Sequence, residues 1–171
     1  IITTGGGGAL LIKDKKIFEK ASSLTRISRK NNKSWNYDYD DLGYNYRLPG
    51  INASLGISQM KKINKILSLK KKINNKYKKV FKENKYLKLL YEIEKTKSNY
   101  WLNTIFIFNS NLKLRDNIVN ELNNKNIGVR PVWKLMHKIK HLSKFPKDDL
   151  TNSIILEKGL INLPSSPEIH E

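Results

Sequence analysis

GYNYRLPGINASLGISQMKKINKILSLKKKINNKYKKVFK, residues 43–82, is the stretch on which the fold turns. Its first residues, Gly43 to Pro49, set polar and aromatic groups in a turn that ends on a proline. A proline is tolerated at the first position of a helix, where its missing N–H has no partner to lose. From there Ile51, Leu55, Met60, Ile63, Leu67, Ile73, Tyr77 and Phe81 recur at helical spacing. No glycine or proline interrupts the chain between Gly56 and Gly128. The pattern predicts one long helix from about Pro49 to about Lys82, with room for a bend.

On the N-terminal side, Gly5–Gly8 precede the apolar run Ala9-Leu10-Leu11-Ile12, which suits a buried strand. Asp14 is placed to cap a helix over Lys15–Leu24 that carries Ile17, Phe18 and Ala21 on one face. Residues 25–42 are polar, aromatic and irregular, and read as a loop. On the C-terminal side, strands are predicted at Tyr86–Ile93 and Tyr100–Phe108, the second with Trp101, Ile105 and Ile107 on one face. Leu114–Leu122 reads as a helix with Ile118, Val119 and Leu122 inward, ended by Asn126-Ile127-Gly128. A short strand at Val129–Val132, a helix from Asp148/Asp149 closed by Gly159, and a strand at Leu160–Leu163 complete an α/β pattern.

Composition narrows the function classes. The 171 residues can bury a core. The absence of cysteine excludes disulfides, cysteine-ligated zinc and thiol catalysis. No apolar run approaches the roughly 18 residues of a membrane span, and no signal peptide opens the chain, so a cytoplasmic protein is expected. The net charge of +18 raises nucleic acid as a partner. Only five of the 33 basic residues are arginine, however, and 20 asparagines accompany the lysines, as biased codon usage would also produce. The lysines of 61–73 surround an apolar stripe, as on a solvated helix face, and no nucleic-acid-binding motif stands beside them.

Three segments could carry chemistry. Thr3-Thr4-Gly5-Gly6-Gly7-Gly8 allows a backbone to approach a phosphate or cofactor, or makes a plain tight turn. Gly43–Pro49 stands just before a helix N-terminus, where backbone donors favour anions, or forms a rigid corner. Arg130-Pro131-Val132-Trp133-Lys134-Leu135-Met136-His137 could hold a base and diphosphate by stacking and charge pairing, or is a packed Trp beside surface Arg and His. His137, His141 and His170 do not make a metal site with neighbouring carboxylates.

Taken in order, TTGGGG, GYNYRLPGINASLGISQM, SNYWLNTIFIF, RPVWKLMH and INLPSSP resemble the C-terminal half of the sugar aminotransferases of the DegT/DnrJ/StrS family. Within it the last two motifs look most like nucleotide-sugar 4-aminotransferases of the legionaminic-acid and bacillosamine type. The resemblance covers essentially the whole chain. It implies the aspartate-aminotransferase-like fold, type I of the pyridoxal-phosphate enzymes. Residues 1–48 would end the large cofactor domain, 49–84 form a linking helix, and 85–171 a small α/β domain.

The resemblance further implies pyridoxal phosphate as cofactor and amino transfer to a 4-keto-6-deoxy nucleotide sugar, with glutamate as donor. It implies a homodimer with shared active sites, without membrane or nucleic acid. Asn45 matches the asparagine that reaches the cofactor phosphate of the neighbouring subunit. Gly5–Gly8 match the turn beneath the cofactor, with Gly5 and Gly6 expected among the cofactor-binding residues. Tyr39 stands where many relatives have His. Arg130, Trp133 and His137 match a segment near the sugar nucleotide. The lysine that holds the cofactor as a Schiff base would fall immediately before Ile1, so the chain by itself is expected to be a fragment without turnover. Two other outcomes stay open: a basic nucleic-acid-binding module, and a folded but inactive interaction fragment.

Overall fold

The computed structural model describes residues 1–30, 35 and 37–167. The chain divides into two compact units, Ile2–Ile63 and Asn64–Glu171.

The first unit contains α1 (Lys15–Leu24) and α2 (Gly50–Lys61). Asp14 caps α1 as its sequence position predicts: its backbone is extended and its carboxylate accepts the Ile17 N–H at 2.9 Å. After α1 the chain turns through Ile27 and Ser28, both in the left-handed region. It then returns alongside itself, with Tyr44 N–H donating to Leu24 O at 2.7 Å and Tyr46 N–H to Thr25 O at 3.1 Å. Gly43 permits this docking, because a Cβ there would lie 2.2 Å from the Ile27 carbonyl carbon. The ion pair of Lys20 with Asp41 at 2.6 Å spans the same return and, through that hydrogen bond first, holds the Asp41 carboxyl below its usual range.

Three expectations are corrected here. Ala9–Ile12 is neither strand nor buried: Leu11 is 99% exposed, and no described segment of the unit supplies a hydrogen-bonding partner. An apolar run becomes a strand only against a ladder that satisfies its backbone. The single long helix is two, because the backbone at Lys62 opens to φ −97°, ψ −1° between α2 and α3 (Ile63–Phe81). Pro49 stands just outside α2 as its extended N-cap, rather than as the first helical residue.

The second unit holds a four-stranded antiparallel sheet in the order β1-β2-β4-β3. Its strands are β1 (Leu87–Leu89), β2 (Asn103–Ile107), β3 (Arg130–Pro131) and β4 (Leu160–Leu163). The first three are shorter than predicted, and β4 has the predicted bounds. Tyr100 and Lys95 adopt positive φ between β1 and β2, so the connecting chain leaves the ladder early. Pro131 supplies no N–H and ends the edge strand β3.

Alternate residues of β2 face inward, and Leu89, Ile105, Ile107, Val129 and Ile161 form the core. Tyr77 and Phe81 of α3 pack against it, as do Ile118, Val119 and Leu122 of α4 (Leu112–Asn124), the three inward residues expected. Trp101, predicted to share the inward face, is half exposed, because it precedes the strand and meets Trp133 instead. Helix α5 (Thr151–Gly159) begins where Asp149 accepts the Thr151 N–H and hydroxyl at 3.0 and 2.7 Å. Gly159 is its last helical residue and not a left-handed cap. Its small size is needed because a Cβ would lie 2.5 Å from Phe106 Cε2 and 2.9 Å from the Ile107 carbonyl oxygen.

A polar seam ties α3 to the chain after β4. Lys70 Nζ donates to Ser165 O at 2.8 Å, and the Tyr77 hydroxyl to Pro164 O at 3.0 Å. Asn74 donates to Asn103 Oδ1 at 2.9 Å. Burial pushes the Lys70 ammonium down and the Tyr77 phenol up from their ordinary values.

Candidate functional site

The glycine run folds into a turn held by its own threonines and by α2. Gly5 N–H donates to Thr3 Oγ1 at 3.0 Å, and the Thr4 hydroxyl donates to Gly6 O at 2.8 Å. Asn52, in the first turn of α2, donates through Nδ2 to Thr4 O at 2.6 Å. Gly5 and Gly7 take φ of +75° and +139°, and a Cβ on Gly7 would press to 2.9 Å from Leu48 Cδ1. The run is therefore a tight turn whose glycines are required by conformation and by close approach.

A cavity of about 620 Å³ opens beside this turn, lined by Gly6, Gly7, Gly8, Asn45, Arg47 and Asn52 among others. No lysine, aspartate or glutamate is among its described lining residues. Pro49 provides no side-chain cap, so the first N–H groups of α2 are left for another acceptor. The donor set is an asparagine amide, a guanidinium and backbone N–H groups beside glycines that leave room. That set suits a phosphorylated, anionic ligand. Of the residues expected here, Asn45 and Gly6 line the cavity, while Gly5 shapes the turn behind it. Asn45 and the glycine turn come together within a single chain. Arg47 and Asn52 had no role assigned from sequence. Asn52 was legible in principle as a polar residue one turn into a helix that follows a glycine-rich segment.

The second group separates. The Arg130 guanidinium lies 5.7 Å from the centre of the Trp133 ring, and Trp133 lies 5.9 Å from Trp101, at 37°. His137 belongs to a 3₁₀ turn, Met136–Lys138, and lines a different cavity of about 440 Å³ with Leu135, Met136, Phe145 and Leu150. The turn is anchored by Glu157, whose buried carboxylate accepts from Lys138 Nζ and whose carbonyl accepts from Arg115 Nη1. Burial alone would raise the Glu157 pKa. The Lys138 hydrogen bond and charge, the Leu135 N–H and Arg115 together outweigh it and leave the group below its usual range. Sequence reading did not find Glu157, since a glutamate in a short helix has no periodic signature. Tyr39 is half exposed and bridges Arg29 through the backbone. No metal-binding cluster exists among the described residues, and His170 lies outside them.

The DegT/DnrJ/EryC1/StrS aminotransferase family model matches residues 1–171. The UDP-4-amino-4,6-dideoxy-N-acetyl-β-L-altrosamine transaminase of Campylobacter jejuni is 28% identical over 99% of this chain and 45% of its own length. The structure of Helicobacter pylori PseC, an aminotransferase involved in the biosynthesis of pseudoaminic acid, superposes with a TM-score of 0.80. It is 22% identical over 90% of this chain and 42% of that one. The E. coli GDP-4-keto-6-deoxy-D-mannose-3-dehydratase, solved with bound hydrated pyridoxal phosphate, superposes at 0.69 with 22% identity, over 91% of this chain and 45% of its own. The likeness establishes the fold as the expected mixed α/β type I arrangement. The chain spans under half the length of each of these relatives.

Proposed function

The chain belongs to the DegT/DnrJ/EryC1/StrS aminotransferase family, and from that premise we propose that it forms one part of a pyridoxal-phosphate site for amino transfer to a 4-keto-6-deoxy nucleotide sugar. The observation that carries this reading is the cavity shared by Gly6–Gly8, Asn45, Arg47 and Asn52. Its chemistry fits the cofactor: an amide and a guanidinium for phosphate oxygens, and glycines where a side chain would intrude. When bound, the cofactor supplies the electron sink for moving the amino group. Asn45 and Arg47 bind and orient the phosphate, and the glycine turn admits the ring. The Arg130–Trp133 pair offers a stacking face and a cation for the sugar nucleotide, with His137 on the adjoining turn. Glutamate is the proposed donor, the cytoplasm the proposed compartment, and a homodimer with shared active sites the proposed assembly. Among the described residues no helix is long and apolar enough to cross a membrane.

No lysine lines the cavity among the described residues. This supports the reading that the cofactor-bearing lysine is supplied from outside these 171 residues, and that the chain by itself gives no turnover. Pyridoxamine phosphate is the probe of choice, because it has no aldehyde to label surface lysines. It is expected to bind the purified chain saturably, at least about tenfold more tightly than pyridoxamine. Asn45→Asp is expected to remove that preference. Binding indifferent to both the phosphate and Asn45→Asp would refute the site. Appearance of 4-amino sugar from a UDP-4-keto sugar and glutamate with this chain alone would refute the missing-lysine reading.

One observation favours a second reading, an inactive interaction fragment. No hydrophobic residue among the described residues of Ile2–Ile63 is buried, and Ile51 is 86% exposed. That unit needs a covering surface. A monomeric, dye-silent chain in solution would count against it.

A further inference from the structure

Helix α3 carries seven lysines and no acidic residue, and the chain has no acidic residue between Asp41 and Glu83. Some of these lysines are occupied within the fold. Lys70 is buried and donates to Ser165 O, Lys78 lies 5.4 Å from the centre of the Tyr91 ring, and the charges of Lys71 and Lys78 act on Glu92. Lys72, Lys76 and Lys79 are exposed and meet no carboxylate and no ring among the described residues. They follow one another at i,i+4 and i,i+3, and Lys65, seven residues before Lys72, extends the line. The row runs along the side of α3 away from its buried residues Ile66, Lys70 and Asn74. Like charges at these spacings repel one another and weaken a helix. A solvated helix face ordinarily sets glutamate beside lysine, and this one does not. Lys79, in the last turn, complements the helix dipole. Lys72 and Lys76 have no such role, so folding alone does not account for the row.

We propose that Lys72, Lys76 and Lys79 form a docking line for an anionic lipid surface, holding the second unit against its phosphate headgroups. The reading goes beyond the cofactor site and does not depend on it. Charge complementarity carries it: a one-signed row without acidic neighbours suits a surface of the opposite sign. Lysine is a compact, hydrated point charge that is satisfied by a diffuse field. A nucleic-acid face would add arginine forks for phosphates and bases, or rings for stacking. The row has neither, and Asn64, Ser68 and Asn75 are the exposed polar residues beside it. From Lys72 to Lys79 it runs straight for about 10 Å along the outer side of a helix, a shape that meets a plane along its whole length. Val80 is the one large apolar side chain exposed on α3, so the helix rests on headgroups without entering the acyl region. The attraction is therefore electrostatic and sensitive to salt.

The test is co-sedimentation of the 171-residue chain with phosphatidylcholine vesicles carrying about 30% phosphatidylglycerol. Pure phosphatidylcholine vesicles control for the apolar surface exposed on the first unit. The combined variant Lys72→Gln, Lys76→Gln, Lys79→Gln is expected to lower partitioning about a hundredfold, each lysine contributing about fivefold. Its unfolding temperature should be unchanged or higher, since like-charge repulsion is relieved. Lys13→Gln, Lys113→Gln, Lys125→Gln removes the same charge from exposed positions on other segments, and is expected to lose no more than about fivefold. Arginine at positions 72, 76 and 79 is expected to bind as the parent does. Equal losses in the two glutamine variants would show diffuse attraction and overturn the proposal. So would equal binding to pure phosphatidylcholine, or loss of binding in the arginine variant. Row-dependent binding to duplex DNA that is tighter than to the vesicles at the same ionic strength would give the row to nucleic acid and overturn the lipid occupant. No cofactor enters these measurements, so their failure leaves the pyridoxamine-phosphate result standing, and the reverse also holds.

Discussion

Replacing Glu157 by Gln isolates the charge that anchors the His137 turn. Glu157 is 5% exposed, and its carboxylate meets Lys138 Nζ, a side chain still one-third exposed. Glutamine keeps the shape and an acceptor oxygen, so no cavity opens and only the charge is lost. A hydrogen bond to a charged group contributes about 1.5–3 kcal/mol. Lys138 can recover water, and the residual amide bond retains part of that contribution. The expected loss is therefore about 1–2 kcal/mol at pH 7. The pH dependence follows from the direction of the shift. A carboxyl whose pKa is lowered on folding adds stability that is complete above its unfolded value of about 4.3 and is lost as pH falls through the folded value. The gap between parent and Glu157→Gln should hold from pH 7 to pH 5 and close below about pH 4. Urea unfolding in a Trp35→Phe background measures it, since Trp101 and Trp133 of the second unit then report alone. A gap under about 0.5 kcal/mol at pH 7, the range of an ordinary surface change, would refute the anchoring role. So would a gap that widens in acid.

Gly43→Ala should undock the return segment, because its Cβ would lie 2.2 and 2.4 Å from backbone atoms of Ile27 and Ser28 that cannot move aside singly. A cost of about 2 kcal/mol would speed amide exchange at Tyr44 and Tyr46 roughly thirtyfold, and unchanged protection would show the docking to be incidental. Ile161→Ala removes a fully buried side chain from the sheet core, with an expected loss of about 2–5 kcal/mol in thermal unfolding followed by circular dichroism. A loss below about 1 kcal/mol would mean the core lies elsewhere.

Much of the second unit is readable from order alone. The inward set Ile118, Val119 and Leu122, the alternation of β2 and the bounds of β4 follow from helical and strand periodicity, which encodes which face is apolar. The Asp14 cap is equally local, since its hydrogen bond spans three residues. Ala9–Ile12 misleads for the opposite reason: hydrophobicity marks a desire for burial, whereas a strand also needs a neighbour's backbone, which no property of those four residues supplies. The helix breaks at Lys62 although Met60, Lys61 and Lys62 itself are good helix formers, so the break is not carried by local propensity.

For the candidate site, the motifs singled out the right segments, because TTGGGG and GYNYRLP differ from ordinary surface sequence in glycine and aromatic content. That Gly6 and Asn45 line one cavity, with Asn52 pinning the turn, is a matter of which segments return beside one another. The same holds for Arg130 and His137, seven positions apart in the chain, which line separate cavities, and for Asn162, whose unmet donor exists only because two neighbouring strands align it with Thr104 and Arg130. The sequence by itself determined the apolar faces of the second unit's helices and strands, the Asp14 cap and the segments able to carry chemistry, since these depend on neighbours within a few residues. The tertiary structure alone decided which of those segments meet and which polar groups are buried without a partner, because contacts between residues far apart in the chain depend on packing that no local pattern contains.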